Sequence, residues 1–250
     1  MLTVTAAPVS LPLHAAIAPL ASRARSAGVE QLHQFAESLG HAVDARDQDT
    51  FNHSWEVAEL SRRIALALGL SAEQAETVHL AGHLHDIGKI GVADNVLKKQ
   101  GALTDREWLE MKRHPEMGAA IIRPVEAFSG SGGIADMVLC HHERFDGGGY
   151  PKGLSGVRIP LGARIIAVAD TVSAMMQNRP YRKGTTFEAA AEEIKRCAGT
   201  QFDPAVVSAL LGLSPTTDRG DGRSLPARGG AAAQPKSRDP LTPRQDERGA

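Results

Sequence analysis

Histidine and aspartate residues recur in this sequence at a helix-sized interval. The recurring residues are His53, His85, Asp86, His114, His141, His142 and Asp170. Gaps of 32, 28, 27 and 28 residues separate the successive positions. Each gap is about the length of one helix and its connection, so neighbouring antiparallel helices could each deliver one or two of these side chains to a common point inside a bundle.

Imidazole and carboxylate groups together form the kind of ligand set that suits zinc, iron, manganese or nickel, and a carboxylate can bridge two cations. Two cations about 3.5–4 Å apart are a common device for phosphate-ester hydrolysis, because they generate hydroxide and neutralise the developing charge. Each histidine taken alone is more often a surface or helix-end residue. The indication of a metal site therefore comes from the whole set.

Five further histidines lack such a context. His79 and His83 are four residues apart, which would place both rings on one helix face. We assign these two to packing or solvent, and we expect no special role for His14, His33 and His41. Cys140, beside His141, is predicted to be a small buried residue rather than a metal ligand.

The residues between these positions predict helices. Apolar residues recur at spacings of three and four, and no alternation of Val, Ile and Thr persists long enough for a sheet. Helix starts are predicted at three capping boxes and one N-cap: Ser71 with Gln74, Thr104 with Glu107, Thr185 with Glu188, and Asp203 before Pro204. Two predicted helices, Val57–Leu68 and Ala72–Asp86, end near Gly69 and Gly88. The predicted fold class is all-α.

The composition divides the chain into three parts. Residues 29–213 are predicted to form one globular domain, preceded by a flexible lead-in over 1–28. Residues 214–250 are rich in Pro, Gly and Arg and poor in large apolar residues, so they cannot bury enough surface to fold and are predicted to be a disordered tail. A glycine-rich loop between Phe145 and Pro160 is too long for a simple connection, and such loops are often functional.

Charge and hydropathy exclude several classes of function. The formal net charge is -1, so no overall field attracts a nucleic-acid polymer. No stretch approaches eighteen uninterrupted apolar residues, so no membrane span is predicted. The signal-peptide pattern is absent. Two cysteines fit a reducing compartment, and a cytoplasmic location is expected.

Two segments resemble the HD-GYP family, a bacterial branch of the HD-domain metal-dependent phosphohydrolases. The first reads HLHDIGK and contains His85, Asp86 and Lys89; the second reads HHERFDGGGYP and begins at His141. The resemblance extends from about Asp47 to Val207. A lone His-Asp pair would mean nothing, but the ordered combination over more than a hundred residues is specific.

The resemblance implies an all-helical HD-domain bundle with an extended glycine-rich loop and two divalent metal ions, iron or manganese. One metal would be held by His53, His85, Asp86 and Asp170, and the second by Asp86, His114, His141 and His142. A third metal in some members needs a Glu four residues before the first His. Asp49 stands there instead, which favours two metals here.

Several other residues acquire expected roles from the resemblance. Lys89, beside the bridging Asp86, would act in catalysis by orienting the hydroxide or protonating the leaving 3′-oxygen. Arg179 and Arg182 would bind the substrate phosphates, and Lys183 is a poorer candidate. Tyr150 and Gly149 would line the substrate site or a surface where signalling proteins dock. Glu143 would hydrogen-bond a ligand imidazole, with a plain surface carboxylate as an equal alternative.

Ser173 departs from the family pattern, which usually has an acidic residue three positions after the Asp170 ligand. If that carboxylate positions Lys89 or a water molecule, turnover here would be slow.

The expected function is hydrolysis of cyclic di-GMP to pGpG by attack of a metal-bridging hydroxide on phosphorus, and whether hydrolysis continues to GMP stays open. Two alternatives stay open. One is a phosphohydrolase of another cyclic dinucleotide. The other is a receptor or interaction module for cyclic di-GMP with weak or no turnover.

Overall fold

The computed structural model describes residues 13–47, 52–178 and 183–213. These ranges contain α-helices and short 3-10 turns and no β-strand, which confirms the all-α prediction. The α-helices are α1 (Leu13–Arg46), α2 (His53–Ala67), α3 (Ala72–Leu84), α4 (Asp94–Leu97), α5 (Asp105–Met111), α6 (His114–Ile122), α7 (Ile134–Cys140), α8 (Leu161–Met176), α9 (Phe187–Arg196) and α10 (Pro204–Leu211). The 3-10 turns are Ile87–Gly91, Glu126–Phe128 and Gly156–Arg158.

The core lies where α2 packs against both α3 and α8. Ile64 of α2, Leu84 of α3, and Ile165 and Ile166 of α8 are fully buried there. Burial of one such side chain contributes about 1.5–3 kcal/mol. The run from Ile165 to Val168, which is rich in β-branched residues, is part of helix α8.

The predicted helix starts are confirmed at three positions out of four. Ser71 and Thr104 form capping boxes with Gln74 and Glu107. Asp203 accepts a hydrogen bond from the backbone N–H of Ala205 before α10. The fourth prediction, Thr185 with Glu188, is wrong by one residue, because the hydroxyl of Thr186 accepts the capping hydrogen bond, from Ala189.

Helix α2 begins four residues earlier than predicted, at the proposed ligand His53. Asn52, at the N-cap position, makes no capping hydrogen bond and has φ +67°. The cap comes instead from Asp44 on α1, whose carboxylate accepts hydrogen bonds from the Ser54 backbone N–H at 3.0 Å and hydroxyl at 2.8 Å. A contact between distant residues therefore sets the start of α2. Helix α3 ends at Leu84, two residues before the predicted Asp86.

The predicted domain boundaries stay predictions for the most part. Helix α1 begins at Leu13, inside the range expected to be a flexible lead-in. The tail over 214–250, Asp49, Arg179 and Arg182 lie outside the described residues. Among the residues that the structure does describe, no helix has both the length and the apolar character needed to cross a membrane.

The glycine-rich loop is hydrogen-bonded to the bundle at its start and to itself near its end. The backbone N–H groups of Phe145 and Asp146 donate to the carbonyls of Gln201 and Thr200, at 3.1 and 2.8 Å. Gly156 donates to the carbonyl of Phe145 at 2.9 Å and closes the loop on itself. These hydrogen bonds hold the loop beside the end of α7, where the proposed ligands His141 and His142 lie.

The crossing of α2 and α3 requires glycine at position 82. A Cβ on Gly82 would lie 2.6 Å from the Cα of Ala58 and 3.1 Å from its backbone nitrogen. Since both atoms belong to the backbone, one helix would have to move. We predict that Gly82→Ala destabilises the protein by about 1–3 kcal/mol, although alanine is the better helix former.

The measurement is urea unfolding followed by circular dichroism. Gly212→Ala is the matched control, since φ at Gly212 is -78° and a Cβ there would come no closer than 3.4 Å to another heavy atom. The control variant should stay within about 0.5 kcal/mol of the starting protein. Equal stability of the two variants would contradict the proposed close crossing.

Candidate metal centre

The Asp86 carboxylate lies between two groups of side chains. Its Oδ2 atom is 3.2 Å from Nε2 of His85 and 2.8 Å from Nζ of Lys89. Its Oδ1 atom is 3.3 Å from Nε2 of His114. A carboxylate whose two oxygens face different ligand groups has the arrangement of a bridging ligand.

The structure brings all seven predicted ligands together, in two groups. Asp86, His114, His141 and His142 form one group, and His53, His85 and Asp170 form the other. In the first, Nε2 of His114 lies 3.4 Å from Nε2 of His141 and 3.1 Å from Nε2 of His142. In the second, Nε2 of His53 lies 3.1 Å from Oδ1 of Asp170. Asp86 contacts one residue of each group, His114 and His85, and the predicted division of ligands likewise places Asp86 in both sets.

Carbonyl groups near helix ends orient three of the imidazoles. His85 donates from Nδ1 to the carbonyl of Gly82 in the last turn of α3, at 2.8 Å. His114 and His141 do the same to Met111, the last residue of α5, at 2.8 Å, and to Val138 of α7, at 2.7 Å. Such carbonyls lack a partner within their own helix. In the form that binds a metal, each ring would carry its proton on Nδ1 and offer the Nε2 lone pair to the ion.

His53 is oriented by a chain of side chains instead. Its Nδ1 lies 3.0 Å from Oγ of Ser173, and the Ser173 hydroxyl donates to Oε2 of Glu56 at 2.6 Å. Gln177 donates to the same Glu56 oxygen at 3.1 Å. The hypothesis that position 173 acts on Lys89 finds no support in this geometry, because Ser173 contacts the ligand His53. The sequence does not predict the Glu56–Ser173–His53 relay. Glu56 is one helical turn after His53, but Ser173 is 117 positions after Glu56.

Lys89 is held by two carboxylates and by the end of α1. Its Nζ is 2.8 Å from Asp86 and 3.1 Å from Asp47. Arg46 donates to the carbonyl of Lys89 at 2.7 Å and to that of Val92 at 2.7 Å, which fixes the 3-10 turn that carries Lys89. Burial alone would lower the pKa of Lys89, but Asp86 and Asp47 raise it well above its ordinary value. Lys89 is therefore a cation that donates hydrogen bonds toward the centre of the cluster.

The pKa values of three imidazoles favour the neutral form that binds metals. Burial lowers the pKa of His114 to about 4 and that of His141 to about 3, and it holds the pKa of His142 well below the usual range. Burial also acts to lower the pKa of His85, but the adjacent Asp86 carboxylate raises it to about 9. Three of these four rings are thus free of a competing proton at neutral pH.

Both ligand carboxylates are ionised. Burial acts to raise the pKa of Asp86, but Lys89 and His85 lower it well below its ordinary value. Burial likewise opposes ionisation of Asp170, and its hydrogen bond with His53 prevails and lowers the pKa. The cluster therefore holds two ionised, buried carboxylates among the imidazole rings.

The donor set fits divalent cations. Nε2 of His85 is buried and makes no hydrogen bond within the described part of the chain. The Nε2 atoms of His114 and His142 face each other at 3.1 Å, where two lone pairs would repel without a proton or a cation between them. Buried lone pairs that converge without donors are what a metal ion would satisfy.

Glu143 has a different role from the one expected. Its carboxylate is buried and accepts hydrogen bonds from the backbone N–H groups of Lys152 at 2.6 Å and Leu154 at 3.0 Å. These bonds go to the glycine-rich loop, so the predicted hydrogen bond to a ligand imidazole is replaced by a loop anchor. The alternative of a surface carboxylate is wrong as well, because Glu143 is only 4% exposed.

Gly149 and Tyr150 bring the loop against the ligands. A Cβ on Gly149 would lie 2.3 Å from the backbone nitrogen of Arg144 and 2.6 Å from the carbonyl oxygen of His142, so only glycine fits. The ring of Tyr150 packs 4.9 Å from the ring of His142, and Nζ of Lys112 lies 5.3 Å from its centroid. Tyr150 thus borders the cluster. Cys140 is buried, and burial raises the pKa of its thiol to about 11, which disfavours a thiolate ligand.

Comparisons with known proteins point to one family. The family model described as an HD domain matches residues 32–206. The chain is 40% identical over 183 residues to the cyclic di-GMP phosphodiesterase response regulator RpfG of Xanthomonas campestris, covering 73% of this chain and 48% of that protein. It is 40% identical over 186 residues to a cyclic di-GMP phosphodiesterase of Thermotoga maritima, covering 73% and 49%. The chain thus spans about half the length of these relatives.

Two further matches are a relative named for a related cyclic dinucleotide and a solved structure. The chain is 41% identical over 155 residues to the 3'3'-cGAMP-specific phosphodiesterase 1 of Vibrio cholerae, covering 62% of this chain and 35% of that protein. A crystal structure of a cyclic GMP-AMP-specific phosphodiesterase from V. cholerae matches with a TM-score of 0.57 at 20% identity, covering 72% of this chain and 48% of that one. At this identity the structural match supports the fold alone.

The loop anchor at Glu143 leads to a prediction about local order. Glu143→Gln removes the charge and leaves one acceptor oxygen for two amides, and a hydrogen bond to a charged group contributes about 1.5–3 kcal/mol. We predict that hydrogen exchange at the Lys152 and Leu154 amides becomes at least about tenfold faster, which corresponds to the low end of this range. NMR or mass-spectrometric exchange measures it. The exposed Glu192→Gln is the control, and unchanged protection in the Glu143 variant would refute the anchor.

Proposed function

The chain belongs to the HD-GYP branch of the HD-domain family, and from this premise we propose that it is a metal-dependent phosphodiesterase that opens cyclic di-GMP to pGpG, with further cleavage to GMP as an open second step. The observation that carries the proposal is the convergence of seven His and Asp side chains in two groups that share Asp86. The names of the relatives at 40% identity support the substrate.

We assign two divalent cations, iron or manganese, to these groups. His53, His85, Asp86 and Asp170 would hold one, and Asp86, His114, His141 and His142 the other. When bound, such a pair supplies a nucleophile from water at neutral pH and neutralises charge on the phosphate oxygens. The carbonyls of Gly82, Met111 and Val138 accept hydrogen bonds from three of the ligand rings and keep them in place. The site therefore needs little reorganisation when the substrate binds.

Lys89 is the residue of this chain placed to act on the reacting phosphate. Its ammonium group borders Asp86 and is kept protonated by the surrounding carboxylates. It would donate a hydrogen bond to a non-bridging oxygen or to the leaving 3′-oxygen, where negative charge develops. Tyr150 and Gly149 would form the wall of the substrate site, and Arg179 and Arg182 would bind the phosphates bidentately.

A second substrate deserves a place in the assay, because a relative at 41% identity is named as specific for 3'3'-cGAMP. The two cyclic dinucleotides differ in one base and share the phosphate chemistry, so the same metal centre would serve both. The receptor alternative gains nothing from the structure, since a binder without turnover has no need of seven converging ligands. Docking of signalling proteins on the glycine-rich loop and a cytoplasmic location stay predictions.

The first functional prediction concerns the bridging carboxylate. Asp86→Asn or His85→Ala should reduce the bound metal and lower turnover of cyclic di-GMP by at least about 100-fold, because each removes a ligand from the shared part of the site. Protein loaded with Fe(II) or Mn(II) without oxygen is assayed by chromatography of the products and by metal analysis. Full activity of the Asp86 variant would sink the proposal.

Lys89→Met separates chemistry from metal binding in the same assay. The variant should retain its metal, because Lys89 is not a ligand, and lose about 10²–10⁴-fold in turnover, the usual contribution of a positioned proton donor. Loss of both metal and turnover would instead give Lys89 a structural role. An intact rate would remove Lys89 from the mechanism.

The relay to His53 generates a separate prediction. Ser173→Ala breaks the path from Glu56 to His53 and should weaken metal binding by about 10–100-fold, the typical effect of losing a group that orients a ligand. Metal affinity is measured by competition with a chromogenic chelator. Ser61→Ala is the matched control, since Ser61 is also buried and its hydroxyl makes no hydrogen bond among the described residues. Equal affinities in both variants would show that the relay does not orient His53.

A further inference from the structure

A second cluster of imidazoles lies between α1 and α3, apart from the ligands of the proposed metal pair. His33 of α1 meets His79 and His83 of α3, with ring centroids 4.7 and 5.6 Å away, and the His79 and His83 rings are 4.8 Å apart. Each of the three rings offers a nitrogen within 4.8 Å of nitrogens of the other two. No sequence motif links these residues, and His33 is 46 positions before His79 in the chain.

His79 has the unsatisfied groups that a metal would complete. It is 9% exposed, and neither of its ring nitrogens makes a hydrogen bond among the described residues. The nearest carboxylate oxygen, Oε1 of Glu76, is 3.5 Å from its Nδ1. A buried imidazole whose two nitrogens make no hydrogen bond destabilises the folded protein. A cation bound by the nitrogen lone pair would remove that cost.

Glu76 completes the surroundings of the cluster. Its Oε1 is 2.5 Å from Nδ1 of His33, so the carboxylate accepts that proton and leaves the Nε2 lone pair of the ring. Carboxylate–histidine pairs of this kind fix the tautomer and strengthen the ligand. The carboxylate also places a negative charge beside the rings of His33 and His79, which favours a cation there. The His33 side chain is 22% exposed, so an ion could enter from solvent on this side.

We propose that His33, His79 and His83 bind one transition-metal ion, with zinc as the matching borderline-soft cation, and that this ion ties α1 to α3. Three imidazoles with solvent in the fourth position form a common zinc environment. The site is distinct from the dinuclear centre and does not depend on the proposed catalytic function. Its effect would be on the packing of α1, which reaches the catalytic side through Asp44, Arg46 and Asp47.

The test compares zinc content and stability in the full chain. After equilibration with zinc and removal of loosely bound ions, His33→Gln should contain one ion fewer per chain than the starting protein. Its zinc-induced rise in Tm should be smaller by about 5 °C, the shift expected from losing a site that is about 99% occupied. His33 is half-buried at the edge of the cluster, so the variant should fold, and circular dichroism checks this.

His41→Gln is the matched control, since His41 lies on the same helix, is 47% exposed and contacts only Glu37 among the ion pairs of the described residues. It should keep the zinc content and the Tm shift unchanged. The same zinc content in His33→Gln and His41→Gln would overturn the site. Because hydrolysis of cyclic di-GMP is measured separately, failure of this site and failure of the proposed activity give different results.

Discussion

The buried Asp86 carboxylate is the constraint around which the bundle is organised. A charge that is 6% exposed is costly unless it has partners. Lys89 supplies one at 2.8 Å, and His85 and His114 lie on either side of it. The Lys89 ammonium group and the His85 ring, whose pKa is raised to about 9, do not balance Asp86, Asp47 and Asp170 together, so the protein leaves a deficit of positive charge at its centre. Divalent cations would remove that deficit, which makes metal binding and stability two aspects of one requirement.

Helix ends explain how so many ligands reach the same point. His53 and His114 are the first residues of α2 and α6, and His85 and His141 directly follow α3 and α7. At a helix end, the last carbonyls have no partner within the helix, and three of the ligand rings use them as acceptors. One hydrogen bond thus satisfies a carbonyl and orients an imidazole, so the chain positions the candidate ligands with few dedicated residues.

The sequence allowed prediction of what depends on local spacing. The intervals between His53 and Asp170 indicate helices that converge, and the caps at Ser71, Thr104 and Asp203 are short-range signals that the structure confirms. Contacts between distant residues were beyond the reach of such signals. Asp44 capping α2 is one example, and the meeting of His33 with His79 is another. Glu143 shows a third limit, because its residue type was informative while its partners, two loop amides, depend on how the loop folds back.

Ser173 illustrates how a missing carboxylate can be replaced without restoring the residue. A carboxylate at position 173 would accept the Nδ1 proton of His53 directly. In this chain the Ser173 hydroxyl accepts the hydrogen bond from His53 and donates its own proton to Glu56. The negative charge of the Glu56 carboxylate is therefore separated from His53 by the serine hydroxyl. With a metal bound, the expected proton positions are the same in both arrangements: Nδ1 of His53 would carry the proton, and Nε2 would bind the metal. The longer relay holds the ring less firmly, because two hydrogen bonds must now keep their geometry, and Gln177 strengthens the second by fixing the Glu56 oxygen. The departure from the family pattern therefore bears on how tightly His53 is held, and it leaves Lys89 and its carboxylate partners untouched.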